Sequence, residues 1–156
     1  MDRDDSGARL MAERIRRMQP ADTEPVLQIW LDASLQAHPF IDAAYWRAQV
    51  QVIRTSYLSA PQTDHFVYLR DGEVLGFLSV MEGSYIGALF VAPAMQGQGI
   101  GAALLAECMR SYSVLTLHVF SENPRALAFY ERNGFVRGEE TESEFAGHKE
   151  WTMYWP

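Results

Sequence analysis

Gln96-Gly-Gln-Gly99-Ile-Gly101-Ala102 follows the apolar run Tyr85–Val91 and opens a second apolar segment, the order of a strand, a glycine turn and a helix. Glycines let the chain turn tightly and leave bare N–H groups, and the helix beginning near Gly99 adds the positive end of its dipole. Gln96, Gly97, Gln98, Gly99, Ile100, Gly101 and Ala102 therefore read as a phosphate cradle of main-chain amides that needs no Lys or Arg. A nucleotide-type cofactor is the chemistry to which this loop points.

The spacing has two cofactor readings. Gly97-x-Gly99-x-x-Ala102 also fits the looser dinucleotide fingerprint, with Glu122 about where that fold places its ribose-binding acid. Against it, Ala92 to Gln96 separate the glycines from their strand, and too little chain follows Ala102 to complete a doubly wound sheet. A Walker loop fails because no Gly-Lys-Ser/Thr follows the glycines.

The elements that must position this loop are legible from periodicity. Arg14–Met18 has the length of a first strand. Asp22 and Pro25 open a helical pattern that ends before Pro39, and Tyr45, Trp46, Val50, Ile53 and Tyr57 recur at helical spacing over Asp42–Leu58. His65–Arg70 and Glu73–Met81, joined by Asp71-Gly72, predict a hairpin, because Asp-Gly supplies the positive φ of a two-residue turn. After the turn Glu82-Gly83-Ser84, Tyr85–Val91 is apolar nearly throughout, as in a strand covered on both faces. A helix over Gly99–Ser111, a strand over Val114–Phe120, a helix over Arg125–Arg132 capped by Asn123-Pro124, and strands over Phe135 to about Glu139 and Lys149–Trp155 complete the chain.

With 156 residues the chain can bury roughly two thirds of its unfolded surface around one core. Residues 1–12 read as a flexible tail and 13–156 as one domain. No apolar run approaches the roughly 18 residues of a membrane helix, and the polar start Met1-Asp-Arg-Asp-Asp5 lacks the apolar core of a secretory signal, so the expected location is the cytoplasm. A net charge of −7 argues against tracking nucleic-acid phosphates and suits a cationic partner. The acidic run Glu139–Glu144 reads as a solvated loop that could attract an amine. Cys108, the only cysteine, sits one helical turn from Leu104 and is expected in the core. His65 and His148 show no metal-ligand spacing, and no metal is expected.

Together these residues resemble the GNAT N-acetyltransferases, whose acetyl-CoA loop reads Gln/Arg-x-x-Gly-x-Gly/Ala and stands here as Gln96-Gly-Gln-Gly99-Ile-Gly101. The second family motif is Asn123-Pro-Arg-Ala-Leu-Ala-Phe-Tyr130-Glu-Arg-Asn-Gly-Phe135. Within the family the likeness runs to the bacterial YiaC-type peptidyl-lysine acetyltransferases, through His38-Pro-Phe-Ile41, Tyr45-Trp46, Met81-Glu-Gly83, Phe90-Val-Ala-Pro93 and Trp151-Thr-Met-Tyr-Trp-Pro156. The resemblance implies an α/β (α+β) fold: a mixed central sheet of about seven strands with four helices, splayed between the fourth and fifth strands. It also implies acetyl-CoA as cosubstrate, a primary amine as acceptor, and a monomer or homodimer. The acceptor is a protein lysine or a small-molecule amine; an acyl-CoA-binding sensor without turnover is the third reading.

In such a site the loop amides hold the pyrophosphate, the pantetheine arm lies beside Leu89, Phe90 and Val91, and Asn123 adds a hydrogen bond to that arm. A strand amide polarises the thioester carbonyl. A lysine amine of pKa about 10.4 is almost wholly protonated at neutral pH, a cost of roughly 4.6 kcal/mol, so a base must take its proton. Glu82, His118 or ordered water are the candidates. Tyr130 is the family's acid beside the departing sulfur. Tyr85 corresponds to an aromatic position near the acceptor, and His38, Phe40 and Trp46 are expected to wall the acceptor channel.

Overall fold

Seven strands form in the computed structural model, which describes residues 13–156: β1 (Glu13–Arg17), β2 (Thr63–Arg70), β3 (Glu73–Met81), β4 (Tyr85–Val91), β5 (Leu115–Phe120), β6 (Val136–Glu142) and β7 (Lys149–Trp155). They make one sheet in the order β1-β2-β3-β4-β5-β7-β6, antiparallel throughout except for the parallel pair β4–β5. The helices are α1 (Thr23–Ala37), α2 (Ala43–Val52), α3 (Ile100–Ser111) and α4 (Pro124–Arg132). The tail expected over residues 1–12 lies outside the described residues.

Two apolar clusters sandwich the sheet. Val26, Ile29 and Trp30 of α1 and Trp46 of α2 pack on Val67, Leu69, Phe77 and Ala88. On the other face Ile100, Leu104, Leu105 and Cys108 of α3, with Leu127 and Tyr130 of α4, cover Leu78, Val80, Ile86, Leu115, Leu117, Val119 and Met153. Gly76 lets α3 approach: a Cβ there would lie 3.1 Å from Ile100 Cγ2 and 3.3 Å from Leu104 Cδ1. Cys108 is buried as expected.

Local chemistry sets the element ends. Asp71 (φ 54°) and Gly72 (φ 80°) turn the β2–β3 hairpin, and Glu82 (φ 52°) with Gly83 (φ 77°) turn β3 into β4, both with the paired positive φ values of a tight hairpin. Asp42 accepts from the Ala44 amide at 2.9 Å to start α2. Asn123 accepts from the Ala126 amide at 3.2 Å, with Pro124 in the first helical position of α4.

Two expectations are corrected. The helix expected over Asp42–Leu58 is regular only to Val52 and finishes as a wider π turn over Ile53–Tyr57. The acidic run read as a solvated loop belongs largely to β6, the sheet's exposed edge strand, where carboxylates discourage pairing with another chain.

Candidate active site

The sheet opens at its centre. β4 and β5 share a single register pair, Tyr85↔Thr116, with the Thr116 amide donating to the Ser84 carbonyl at 2.9 Å. Beyond that pair β4 stays on β3 and β5 stays on β7, so their facing edges separate. The wedge begins where the β3–β4 register slips: Ser79 pairs with Ala88 and Val80 with Ile86, leaving Gly87 unpaired. A bulge of this kind bends its strand and increases the local twist. Only glycine fits there without displacement, since a Cβ would stand 2.6 Å from Tyr57 Oη and 2.7 Å from Met81 Sδ.

At the far end of β4 the chain passes through a short 3-10 turn (Pro93–Met95) into the glycine loop. Gly97 and Gly99 both hold φ 82° with open space where a side chain would project, and Gly99 is the N-cap of α3. No side chain caps α3, so its first amides are free for an external acceptor. The Gln96 amide group donates to the Val91 carbonyl at 3.3 Å and ties the loop to the strand end. Gln98 faces away from the cleft and accepts from Arg70 at 3.0 Å.

A cleft of about 870 Å³ runs from this loop into the wedge, a volume in the usual range for a ligand site. Leu89, Phe90, Val91, Gln96, Gly97, Gly99, Ile100, Gly101, Ala102, Asn123 and Tyr130 line it, as do His38 and His118. Gly101 keeps α3 close to α4: a Cβ there would lie 3.3 Å from Phe129 Cζ. Uncapped amides, glycines with room for phosphate, and a cleft leading on to the split strands fit a pyrophosphate-bearing thioester.

Residues 42–155 match the family model described as an acetyltransferase (GNAT) domain. The chain belongs to the GNAT acetyltransferase family. It is 36% identical over 142 residues to the peptidyl-lysine N-acetyltransferase YiaC of Escherichia coli (strain K12), covering 91% of this chain and 96% of that one. The solution structure of apo-form YjaB from Escherichia coli superposes with a TM-score of 0.78 at 25% identity, covering 92% of this chain and 97% of the other. The fold also matches that of the PaiA N-acetyltransferase from Thermoplasma acidophilum in complex with coenzyme A, with a TM-score of 0.77 at 16% identity over 93% of this chain and 99% of that one. The protein is thus an acetyl-CoA-dependent N-acetyltransferase, with the mixed, splayed GNAT sheet expected from its motifs.

Within this GNAT cleft, Tyr130 is 9% exposed, and burial raises its phenol above the ordinary tyrosine value, with Tyr85 adding a smaller push. Tyr85 stands behind the wall, its hydroxyl 2.8 Å from His118 Nδ1, and burial raises its phenol as well. Phe40 and Trp46 are set back too: both pack on His38, with ring centroids 5.8 and 5.1 Å away. Burial lowers the imidazole of His38. Glu82 is exposed in the β3–β4 turn and is not part of the cleft wall. No group of His, Cys, Asp and Glu among the described residues is arranged around a metal position.

Sequence reading missed four features of the site. Arg125 and Arg132, seven apart on α4, both line the cleft and bring cations that the glycine motif did not advertise; their helical spacing was the available signal. Glu150 lines the cleft from β7, and only the β5–β7 register brings it there. The Gly87 bulge left no trace in composition. A buried polar set behind it comprises Tyr57, His65 and Ser79, with His65 Nδ1 2.6 Å from Ser79 Oγ. Burial pushes Tyr57 up to about 12 and lowers His65.

Proposed function

We propose that this acetyltransferase modifies lysine side chains of proteins, in the cytoplasm, by direct transfer within the β4–β5 wedge. The observation that carries the reading is the 36% identity, across nearly the whole of both chains, to a relative named for peptidyl-lysine acetylation. The cleft supports it. His38 and Phe120 line the cleft with ring centroids 5.1 Å apart, and Phe40 packs behind both, giving an aromatic side to the channel against which an aliphatic stem can lie. The net charge of −7 favours the approach of a cationic side chain.

Acetyl-CoA, when bound, supplies the activated acyl carbon. The amides of Gly97 to Ala102 hold its diphosphate, aided by Arg125 and Arg132, and Asn123 beside the channel orients the arm. A free N–H on the separated edge of β4 polarises the carbonyl. Tyr130, kept protonated by burial, delivers its proton to the departing sulfur. On the acceptor side His118, which lines the cleft, accepts the amine proton on Nε2, while its Nδ1–H donates to the Tyr85 oxygen, which holds the ring. Cys108 is no alternative nucleophile, because burial pushes its thiol to about 12.

Incubation with acetyl-CoA and lysine-containing peptides, read by mass spectrometry, tests the reading. A gain of one acetyl group on lysine is the expected result. Acetylation of free polyamines or amino acids with unmodified peptides would overturn the lysine assignment, and no product with any amine would return the domain to an acyl-CoA sensor.

A further inference from the structure

The register between β5 and β7 places Phe120 opposite Glu150 and His118 opposite Thr152. Leu117, Val119, Trp151 and Met153 point into the cluster beneath α3 and α4. Alternation therefore sends His118, Phe120, Glu150 and Thr152 to the other face, the one that carries α1 and the aromatic side of the channel. Glu150 lines the cleft together with His118 and Phe120. Residues diagonal across a strand pair come within reach of long side chains, so the Glu150 carboxylate and the His118 ring share one patch at the lip of the wedge.

Two carboxylates line the cleft, and they differ in what they already hold. Glu122 is committed to His148 Nδ1. Glu150 is half-buried and makes no ion pair or side-chain hydrogen bond among the described residues. Its charge reaches the Tyr85 phenol, which is itself bonded to His118. The cleft's cations, Arg125 and Arg132, stand on α4. We propose that Glu150 is the acceptor-selecting residue of this enzyme: its carboxylate seats the ammonium head of an aliphatic primary amine whose stem lies along Phe120 and His38, and it hands that head to His118. The inference rests on reading the cleft as the site of acetyl transfer. It adds that the site selects acceptors by positive charge on a flexible apolar stem, using a charge-assisted contact over an aromatic wall.

Steady-state CoA release with a lysine peptide tests it. Glu150→Gln should raise the peptide KM about tenfold, as for loss of one partly exposed charge-assisted contact. Acetyl-CoA KM should stay within twofold, and Glu150→Asp should recover most of the loss. In the wild type, n-butylammonium should compete with the peptide while n-butanol, its neutral counterpart, should not. This readout needs no variant to fold. A peptide KM unchanged in Glu150→Gln, a parallel rise in acetyl-CoA KM, or equal competition by the alcohol would each overturn the assignment. If the wild type ignores lysine peptides but turns over a small amine, the lysine reading fails alone, and the role of Glu150 is decided on the KM of that amine.

Discussion

Replacing Gly99 with alanine separates backbone strain from loss of an anion site. Gly99 holds φ 82° at the N-cap of α3, and a Cβ there would meet no atom within 4 Å, so the substitution introduces strain without a clash. The left-handed region costs a non-glycine residue about 1–2 kcal/mol. For a chain of 156 residues that corresponds to a melting temperature lower by roughly 2–8 °C. Gly83 provides the control. It holds φ 77° with equally open surroundings, but in the turn before β4, whereas the loop follows the other end of that strand. Gly83→Ala should therefore melt lower by a similar amount. Only Gly99→Ala places a methyl group in the proposed diphosphate site, and its acetyl-CoA KM should rise about tenfold or more, equivalent to roughly 1.4 kcal/mol. Differential scanning fluorimetry gives the first quantity and thiol release at varied acetyl-CoA gives the second. Equal melting losses with unchanged acetyl-CoA KM in both variants would show that the loop does not hold the phosphates.

Tyr130→Phe keeps the ring packing on Phe129 and Phe135 while removing the proton donor, so kcat should fall about a hundredfold with acetyl-CoA KM within twofold; an unchanged kcat would remove Tyr130 from the acid role. Gly76→Ala forces a methyl group within 3.1 Å of both Ile100 and the Phe90 carbonyl, and the overpacking should cost about 1–3 kcal/mol by denaturant titration. Burial lowers the folded-state imidazoles of His38 and His65, so the unfolded chain takes up protons first as pH falls below about 6.5. Stability should then decline from pH 7 toward pH 5, and His65→Gln, which can still bond Ser79, should flatten that decline in melting curves. In alkali the sign reverses: Tyr57 and Tyr112 are pushed up to about 12, so unfolding releases their protons and stability should fall between about pH 10 and 12.

Features written in short-range chemistry were legible in the chain itself. Apolar periodicity located most strands and helices within a few residues, because alternation and helical spacing reflect burial of one face, while the second helix gave way to a π turn six residues before its expected end. Asp71-Gly72 and Asn123-Pro124 act on their own backbone, so the turn and the cap appear where they were expected. The glycine loop was readable for the same reason, since its shape is set by local φ at Gly97 and Gly99. Tertiary structure decided what depends on register and on approach between distant segments. The Gly87 bulge is a mismatch between two strands, and neither strand alone records it. Glu150 enters the cleft because β7 pairs with β5 in one register; a slip of one residue would turn it to the opposite face. Glu82, plausible as a strand-end carboxylate, stays outside because a tight turn aims it into solvent. Sequence named the glycine loop and the fold that carries it, and the packing of two separated strand edges determined which side chains line the cleft.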